Sequence, residues 1–225
     1  GYLSYRSYVW QNTSRGGLPK YFLEDMNFEK YVDMAINMPL LFIFKNNNHL
    51  TSNEKTFKDF MEGNISNLKN EKANIKDFEI HLATIFNEVR LKQYIEIRSL
   101  DTCEWDCHCS GPAFYTGLIY GNLDKALEII NKWKISDVLN AYIDVPKKGL
   151  NTNINNKTLL EWGKIFLSLS KKGLEKRCIE NNSGKNESIF LRSVQKILDE
   201  NKSKASVIIE KFKVQKNLEF LYEKL

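Results

Sequence analysis

The alternating residues of segment 94–101 are the strongest constraint that this sequence places on its fold. Successive side chains of a β-strand point to opposite faces. Tyr94, Glu96 and Arg98 would therefore share one face, and the two intervening isoleucines would share the other. One face is apolar and the other carries opposite charges, so the segment predicts a half-buried strand.

Glu96 and Arg98 are a chemically useful pair if they share a strand face. Carboxylate oxygens are ligands that Mg²⁺ prefers, and a planar guanidinium can donate two parallel hydrogen bonds to a phosphate. Side by side, the two groups could hold a metal ion and a phosphate, which suits ATP chemistry. The alternative is an ion pair on a solvated strand, which would contribute little.

Composition indicates a globular protein and narrows the classes of partner. The 225 residues are 42% hydrophobic and 27% charged, enough for one large domain or two small ones. The longest apolar run, Met38 to Phe44, is far shorter than the roughly 20 residues of a membrane helix. The net charge of +5 is spread along the chain. We therefore expect neither a membrane nor a nucleic-acid partner.

The predicted elements change character near Pro112. Before it, strands and helices alternate, and after it the pattern is almost entirely helical, with Gly173 as a candidate helix break. Leu3 to Trp10 predicts a strand with Arg6, Tyr8 and Trp10 on one face, where they could meet a ligand. This division predicts two regions, residues 1–111 and 112–225.

Shorter motifs add detail to the first region. A helix from Phe28 to Ile36 is expected to start at Asn27 as N-cap and to stop at Pro39. A second helix, Ile75 to Phe86, carries His81, for which a structural role is the preferred interpretation because lone helical histidines are usually hydrogen-bonded packing residues.

Four cysteines are too few for a disulfide scaffold, so reduced thiols are expected. Cys103, Cys107, His108 and Cys109 form a local cluster that could be interpreted as a zinc site. Structural zinc sites need a second pair of ligands elsewhere, which this chain does not offer. Loop or packing thiols are therefore the preferred interpretation.

Several motifs together carry a resemblance to a known family. They are the segment Glu88 to Arg98, then Trp105, Cys109 and Pro112 to Tyr120, preceded in the family's order by Ser4 to Ser7, Trp10 and Leu18-Pro19. In these motifs the chain resembles the glutamate–cysteine ligases of the plant and proteobacterial type. The resemblance covers nearly the whole chain, and only the last stretch fits loosely.

The resemblance implies an α+β fold: an antiparallel sheet of the glutamine-synthetase-like carboxylate–amine ligase type, with a mostly helical C-terminal section. Residues 1–111 would be the C-terminal part of the catalytic sheet domain with flanking helices, and 112–225 a helical section packing on it. The implied reaction joins the side-chain carboxylate of glutamate to cysteine, with ATP and Mg²⁺, through an acyl phosphate. The product would be gamma-glutamylcysteine, in the first step of glutathione biosynthesis.

The resemblance also suggests roles for individual residues. Glu96 would be a magnesium ligand and Arg98 a catalytic phosphate clamp. Arg6 would bind a carboxylate or phosphate, with Trp10 lining the substrate pocket. The remaining candidates are Tyr94 for substrate, and Arg90 and Lys92 as weaker nucleotide ligands. A loop shortened relative to the family leaves the equivalence of Arg15 open.

The first residue is Gly1, and the chain begins inside what would be the family's second half. We therefore expect a C-terminal fragment of a cytoplasmic enzyme, inactive without the N-terminal half that holds further metal ligands. Two alternatives are a related ligase with another amine acceptor, and a non-catalytic helical remnant that serves as an interaction module.

Overall fold

The computed structural model describes residues 1–13, 15–18, 22, 24–66, 68 and 71–222. These residues form two compact units. The hairpin unit comprises Val9–Ser99, and the helical unit comprises Gly1–Tyr8 together with Leu100–Leu225. The sequence predicted a division between residues 111 and 112, whereas the structure divides the chain after Ser99 and groups the first eight residues with the C-terminal part.

The first helix, α1, is Tyr5–Gln11, so the predicted strand from Leu3 to Trp10 is wrong. Ser4 explains the difference, because its Oγ accepts a hydrogen bond from the Ser7 backbone N–H at 3.3 Å, as an N-cap residue does. In a helix, residues two apart point in nearly opposite directions. Arg6 and Tyr8 therefore do not share a face.

Among its described residues, the hairpin unit contains three further α-helices and six short strands. The helices are α2 (Phe28–Asn37), α3 (Phe57–Glu62) and α4 (Ile75–Ala83). The strands are β1 (Gly16–Gly17), β2 (Ile43–Lys45), β3 (Asn48–Leu50), β4 (Phe86–Asn87), β5 (Val89–Leu91) and β6 (Ile95–Ile97). β2 pairs with β3 and β5 with β6, both antiparallel, whereas β1 and β4 are parallel.

Local capping sets the starts of these helices. The Asn27 side chain accepts a hydrogen bond from the Lys30 N–H, which confirms Asn27 as the predicted N-cap of α2. α3 and α4 both begin with capping boxes, formed by Thr56 with Asp59 and by Asn74 with Asp77. α4 ends earlier than predicted, at Ala83, and the chain then enters β4.

Within the described part of the hairpin unit, two apolar clusters form the core. The larger joins side chains of α3 to the β2–β3 pair and the segment after α3: Leu40, Ile43, Phe57, Phe60, Ile65 and Leu68. The smaller contains Ala35, Met38 and Ile85, and it packs α2 against the end of α4. The second cluster fixes Ile85, which immediately precedes β4 and the β5–β6 pair.

The strand pairs are separate from one another among the described residues: each sheet there has two strands. The predicted glutamine-synthetase-like sheet needs pairing between more strands than these. That fold stays a prediction for this chain.

The helical unit contains six helices and one short strand pair among its described residues. The helices are α5 (Ser110–Thr116), α6 (Leu123–Ile130), α7 (Ile135–Lys148), α8 (Leu159–Arg177), α9 (Arg192–Glu200) and α10 (Lys204–Gln215). A π-helical segment, Gly117–Gly121, follows α5, and β7 (Asn153–Ile154) pairs antiparallel with β8 (Lys157–Thr158).

α8 is the central helix of this unit, with six buried residues. The predicted break at Gly173 is wrong, since α8 runs through it to Arg177. Gly173 lies directly against Gly117 and Gly121 of the π-helical segment, where an added Cβ would collide with backbone atoms. The glycine serves close helix packing, not termination.

A disulfide lies in the loop before α5. Cys103 and Cys107 form it, with Cα atoms 6.1 Å apart, so the expectation of reduced thiols is wrong for this pair. A 3₁₀ turn, Trp105–Cys107, brings the two cysteines together.

Across the described residues, no helix is both long and apolar enough to cross a membrane.

Candidate functional site

The β5–β6 pair forms the core of the candidate site. Its register places Arg90 of β5 directly opposite Glu96 of β6. The Tyr31 hydroxyl of α2 accepts a hydrogen bond from the Leu91 N–H at 3.0 Å, which ties the hairpin to the helix. Burial raises the pKa of Tyr31. The hairpin is therefore anchored at the position next to Arg90.

The Glu96 carboxylate lies between two guanidinium groups. Arg90 Nε donates to Glu96 Oε2 at 2.6 Å, and Arg98 Nη1 lies 3.5 Å from Oε1. The side chains of Arg90, Glu96 and Arg98 are 8%, 28% and 21% exposed, respectively. The hydrogen bond from Arg90, together with the nearby positive charges, lowers the pKa of Glu96. Glu96 and Arg98 thus lie on one side of the chain, as the alternating pattern predicts.

Arg90 is also bound to the end of α4. Its Nη1 donates to the carbonyl oxygens of Ala83 at 2.6 Å and Ile85 at 3.2 Å. Carbonyl groups at a helix C-terminus carry partial negative charge and lack intrahelical partners, so they attract a cation. Arg90 therefore bridges the backbone at the end of α4 and the carboxylate of Glu96.

Arg15, which the sequence left undecided, binds the same helix end. Its Nε and Nη2 both donate to the Thr84 carbonyl oxygen, at 3.2 and 2.8 Å, and Nη2 also donates to Thr84 Oγ1. Arg15 is buried, which lowers its pKa. Its Nη1 has no hydrogen-bond partner among the described residues. No local sequence signal assigns this role, because the acceptors lie 69 positions further along the chain.

Aromatic rings extend the site beyond Glu96. The Arg98 guanidinium lies over the Phe86 ring, 5.5 Å from its centroid, and the Trp10 ring stacks on Phe86 at 5.3 Å. The Arg98 N–H donates to the Glu88 carbonyl at 2.8 Å, which continues the ladder beyond β6. The structure therefore brings together Trp10, Arg90, Glu96 and Arg98, four of the predicted site residues.

The remaining predicted residues lie elsewhere. Tyr94 and Lys92 are in the turn between β5 and β6, where the Lys92 N–H donates to the Tyr94 carbonyl. Tyr94 is 58% exposed and Ile95 is 69% exposed, so the face predicted to be apolar is not buried at Ile95. Arg6 lies on α1 in the helical unit.

The donor set limits what this chain can offer a metal ion. Within the described ranges, no three side chains of His, Cys, Asp or Glu lie close enough to hold a metal ion together. The site supplies one carboxylate, Glu96, beside two guanidinium groups. It fits a single-ligand contribution to a magnesium site and the binding of an anionic phosphate.

Comparison with known proteins identifies the family. The sequence pattern of glutamate-cysteine ligase family 2 (GCS2) matches residues 1–223. The chain belongs to this family. Among similar proteins, the chloroplastic glutamate–cysteine ligase of Solanum lycopersicum is 34% identical over 215 residues, which is 93% of this chain and 40% of the relative. Chloroplastic glutamate–cysteine ligase A of Oryza sativa subsp. indica is 33% identical over 232 residues, covering 100% of this chain and 46% of the relative.

The relatives also bear on the length of the protein and on its compartment. The chloroplastic glutamate–cysteine ligase of Arabidopsis thaliana is 34% identical over 94% of this chain, but the match covers 40% of its own length. The chain thus spans less than half the length of these curated relatives. The expectation of a cytoplasmic enzyme is contradicted, because these relatives are named as chloroplastic proteins.

Proposed function

We propose that the protein containing this chain joins the side-chain carboxylate of glutamate to the amine of cysteine at the expense of ATP. The observation that carries the proposal is the Glu96 carboxylate between Arg90 and Arg98 on the β5–β6 hairpin. Membership of the glutamate–cysteine ligase family supports it. The relatives' names indicate ligation of glutamate to cysteine. The product of the proposed reaction is gamma-glutamylcysteine, an intermediate of glutathione synthesis.

The proposed reaction has two covalent steps. A glutamate side-chain oxygen attacks the γ-phosphorus of ATP, and ADP leaves as the acyl phosphate forms. The cysteine amine nitrogen then attacks the acyl carbon, loses a proton, and displaces inorganic phosphate. Negative charge spreads over the phosphoryl oxygens in the first step, so guanidinium groups and divalent cations stabilise it without covalent chemistry by the protein.

Within this scheme, Arg98 binds the phosphoryl oxygens of ATP, supported from below by the Phe86 ring. Glu96 would offer one oxygen to Mg²⁺, which would neutralise phosphate charge when bound. Trp10 lines the glutamate pocket beside Phe86. We retain Arg6 as a carboxylate or phosphate ligand, Tyr94 as a substrate contact and Lys92 as a nucleotide contact.

A single carboxylate does not complete a catalytic magnesium site, so we propose that another part of the same protein supplies the remaining ligands. The relatives' greater length supports this, since the match spans 40% to 46% of them. The same reasoning predicts that residues 1–225 alone do not turn over. The relatives also support a plastid compartment, which a fluorescent fusion of the complete protein tests.

The experiment compares Glu96→Gln with the wild type in the complete protein, measuring phosphate release that requires both ATP and cysteine. We expect kcat to fall by about 10²-fold or more, as loss of a charge-stabilising group in an active site typically costs. Glu187→Gln is the matched control, because Glu187 pairs with Arg177 at 3.1 Å and is also 28% exposed. It is expected to keep wild-type kcat.

Two outcomes would contradict the proposal. Wild-type protein without ATP-dependent and cysteine-dependent phosphate release would exclude the reaction. Equal activity of Glu96→Gln and Glu187→Gln would exclude Glu96 from the site. Replacement of cysteine by other amines in the same assay identifies the acceptor, and faster turnover with another amine would assign a related carboxylate–amine ligase.

A further inference from the structure

We propose that Arg90 is a positioning residue that holds Oε2 of Glu96 and thereby presents Oε1 to the metal ion. The inference rests on the proposed function and assigns Arg90 a different role from the nucleotide ligand that the sequence suggests. The hydrogen-bond partners of the guanidinium carry the inference.

Most of the donor capacity of Arg90 is used within the protein. A guanidinium has five N–H groups. Three hydrogen bonds from Arg90 go to this protein: one to Glu96 Oε2, one to the Ala83 carbonyl and one to the Ile85 carbonyl. The residue is 6% exposed. Because the side chain is buried and its Nε and Nη1 groups both donate to protein acceptors, it is better suited to hold Glu96 than to bind a nucleotide.

A second buried guanidinium, that of Arg15, binds the same end of α4. Arg90 binds the carbonyls of Ala83 and Ile85, while Arg15 binds the intervening carbonyl of Thr84. Thr84 Oγ1 in turn donates to the His81 carbonyl at 2.8 Å. Three consecutive carbonyl groups thus accept hydrogen bonds from two buried guanidiniums. The two hydrogen bonds from Arg90 Nη1 fix this guanidinium relative to the backbone, whereas Arg15 binds the same helix end without contacting Glu96.

The two carboxylate oxygens of Glu96 therefore differ in how closely an arginine approaches them. Oε2 accepts a short, charge-assisted hydrogen bond of 2.6 Å from Arg90. Oε1 lies 3.5 Å from Arg98 Nη1, which is longer than the usual hydrogen-bond distance. Oε1 therefore keeps more lone-pair capacity for a cation. Groups that hold a ligating carboxylate by hydrogen bonds orient it and tune metal affinity.

Lysine cannot replace this arrangement. Its ammonium is a compact point charge on a flexible stem, whereas the planar guanidinium reaches a carboxylate and backbone carbonyls in fixed directions. Arg90→Lys keeps the charge near Glu96 but loses the fixed link to Ala83 and Ile85. The substitution therefore separates orientation from charge.

The test is Mn²⁺ binding to the complete protein in the presence of ATP, followed by electron paramagnetic resonance. Arg90→Lys is expected to weaken Mn²⁺ binding by about 10-fold, the lower end of the range for hydrogen-bond partners of metal ligands. In steady-state assays, the Mg²⁺ concentration for half-maximal rate is expected to rise similarly. At saturating Mg²⁺, kcat is expected to stay within about threefold of wild type, because the ligand itself remains.

Two controls separate positioning from general structural damage. Arg15→Lys disturbs the same helix end without touching Glu96, and is expected to leave Mn²⁺ affinity unchanged. Arg177→Lys tests an arginine–carboxylate pair of the helical unit and is likewise expected to leave it unchanged. In a Glu96→Gln background, Arg90→Lys is expected to cause no further loss, because its route to the metal is gone.

Several results would overturn the inference. They are an unchanged Mn²⁺ affinity in Arg90→Lys, an equal loss in Arg15→Lys, or a full additional loss in the Glu96→Gln background. If Arg90→Lys does not fold, a crystal structure of the wild type with Mn²⁺ and an ATP analogue decides: Glu96 is expected to bind the metal through Oε1 with Oε2 still on Arg90, and bidentate binding would refute this. Wild-type protein without Mn²⁺ binding or ligase turnover would instead refute the proposed function.

Discussion

The two units bury different kinds of polar residue. Among the described residues, the buried polar groups of the hairpin unit include four titratable side chains: Arg15, Asp77, His81 and Arg90. Those of the helical unit are neutral and mostly small: Ser110, Asn122, Thr152 and Ser170. Buried charge requires partners, whereas small neutral groups let helices approach closely.

This difference agrees with the placement of the proposed site in the hairpin unit. The hairpin unit holds guanidiniums against carbonyls and a carboxylate, at a cost in desolvation that packing alone does not require. In the helical unit, Ser170 Oγ donates to the Phe114 carbonyl at 2.9 Å, and Asn122 donates to the Leu169 carbonyl at 2.7 Å. Those bonds join helices. We expect the same contrast between the units in the unfolding free energies of variants.

The largest expected difference is between two arginine–carboxylate pairs. Arg90→Met removes a buried guanidinium from Glu96 and two carbonyls, and is expected to lower the free energy of unfolding by about 3 to 4 kcal/mol. Arg177→Met breaks a pair whose side chains are 29% and 28% exposed, and is expected to cost under about 1 kcal/mol. Denaturant unfolding of both variants measures the values. Equal costs would break the comparison.

Gly173→Ala tests the helical unit by overpacking. The added methyl would collide with the Gly117 backbone, so we expect a loss of about 3 kcal/mol in unfolding free energy. Because no charge is involved, the loss is expected to be the same at pH 7 and pH 5. Hydrogen exchange resolved by peptide locates the effect. Loss of protection centred on the hairpin unit would contradict the packing role of this glycine.

Acid is expected to weaken the hairpin unit through His81. Its Nε2 lies 2.7 Å from the Ala35 carbonyl, and burial lowers the pKa of His81 from 6.5 to about 4. The unfolded chain therefore binds the proton first as pH falls from 6.5 towards 4, and stability present above pH 6.5 is lost in that window. Between pH 7 and pH 5 the expected loss is roughly 2 kcal/mol.

The measurement for His81 is thermal unfolding across this pH range, with His81→Gln as the variant. The variant is expected to start less stable but to lose less stability on acidification. His49→Gln, at an exposed position of the same unit, is the control and is expected to keep the wild-type slope. If His81→Gln loses as much stability on acidification as the wild type, His81 is not the cause of the pH dependence.

The smallest expected effect is one in which the units do not differ. Thr56 and Thr158 each begin a helix with a capping box, and their backbone N–H bonds lower the pKa of Asp59 and Glu161. Thr56→Ala and Thr158→Ala are each expected to cost about 1 kcal/mol, the usual value for an N-cap. Chemical denaturation checks both. A large difference between the two losses of unfolding free energy would mean that the contribution of an N-cap also depends on the unit.

Local signals predicted part of the fold. Asn27 and Pro39 correctly marked the start and end of α2, because an N-cap and a proline act on the backbone within a few residues. The residues of Leu3 to Trp10, rich in Tyr, Ser and Val, predicted the wrong element, because Ser4 caps a helix there. The sheet implied by the family depends on pairing between distant strands, which local pattern does not encode, and it stays a prediction.

The candidate site was partly predictable for the same reason. Period-two alternation places Glu96 and Arg98 on one side, and the structure agrees. The partners of Arg90 and Arg15 are backbone carbonyls at the end of α4, and that end lies three residues before the predicted one, Phe86. Every residue has a backbone carbonyl, so the sequence does not mark which ones accept these hydrogen bonds. The roles of Arg90 and Arg15 can therefore be assigned only from the three-dimensional structure. The catalytic roles themselves remain predictions.

The pairing of Arg90 with Glu96 makes the length of the intervening turn a constraint on evolution. β5 ends at Leu91 and β6 begins at Ile95, so three residues join them. A slip of one residue in register turns every side chain of a strand to the opposite face. Insertions or deletions between the two strands are therefore expected to be far less tolerated than substitutions there, and a deep mutational scan that includes indels would detect this at Gln93.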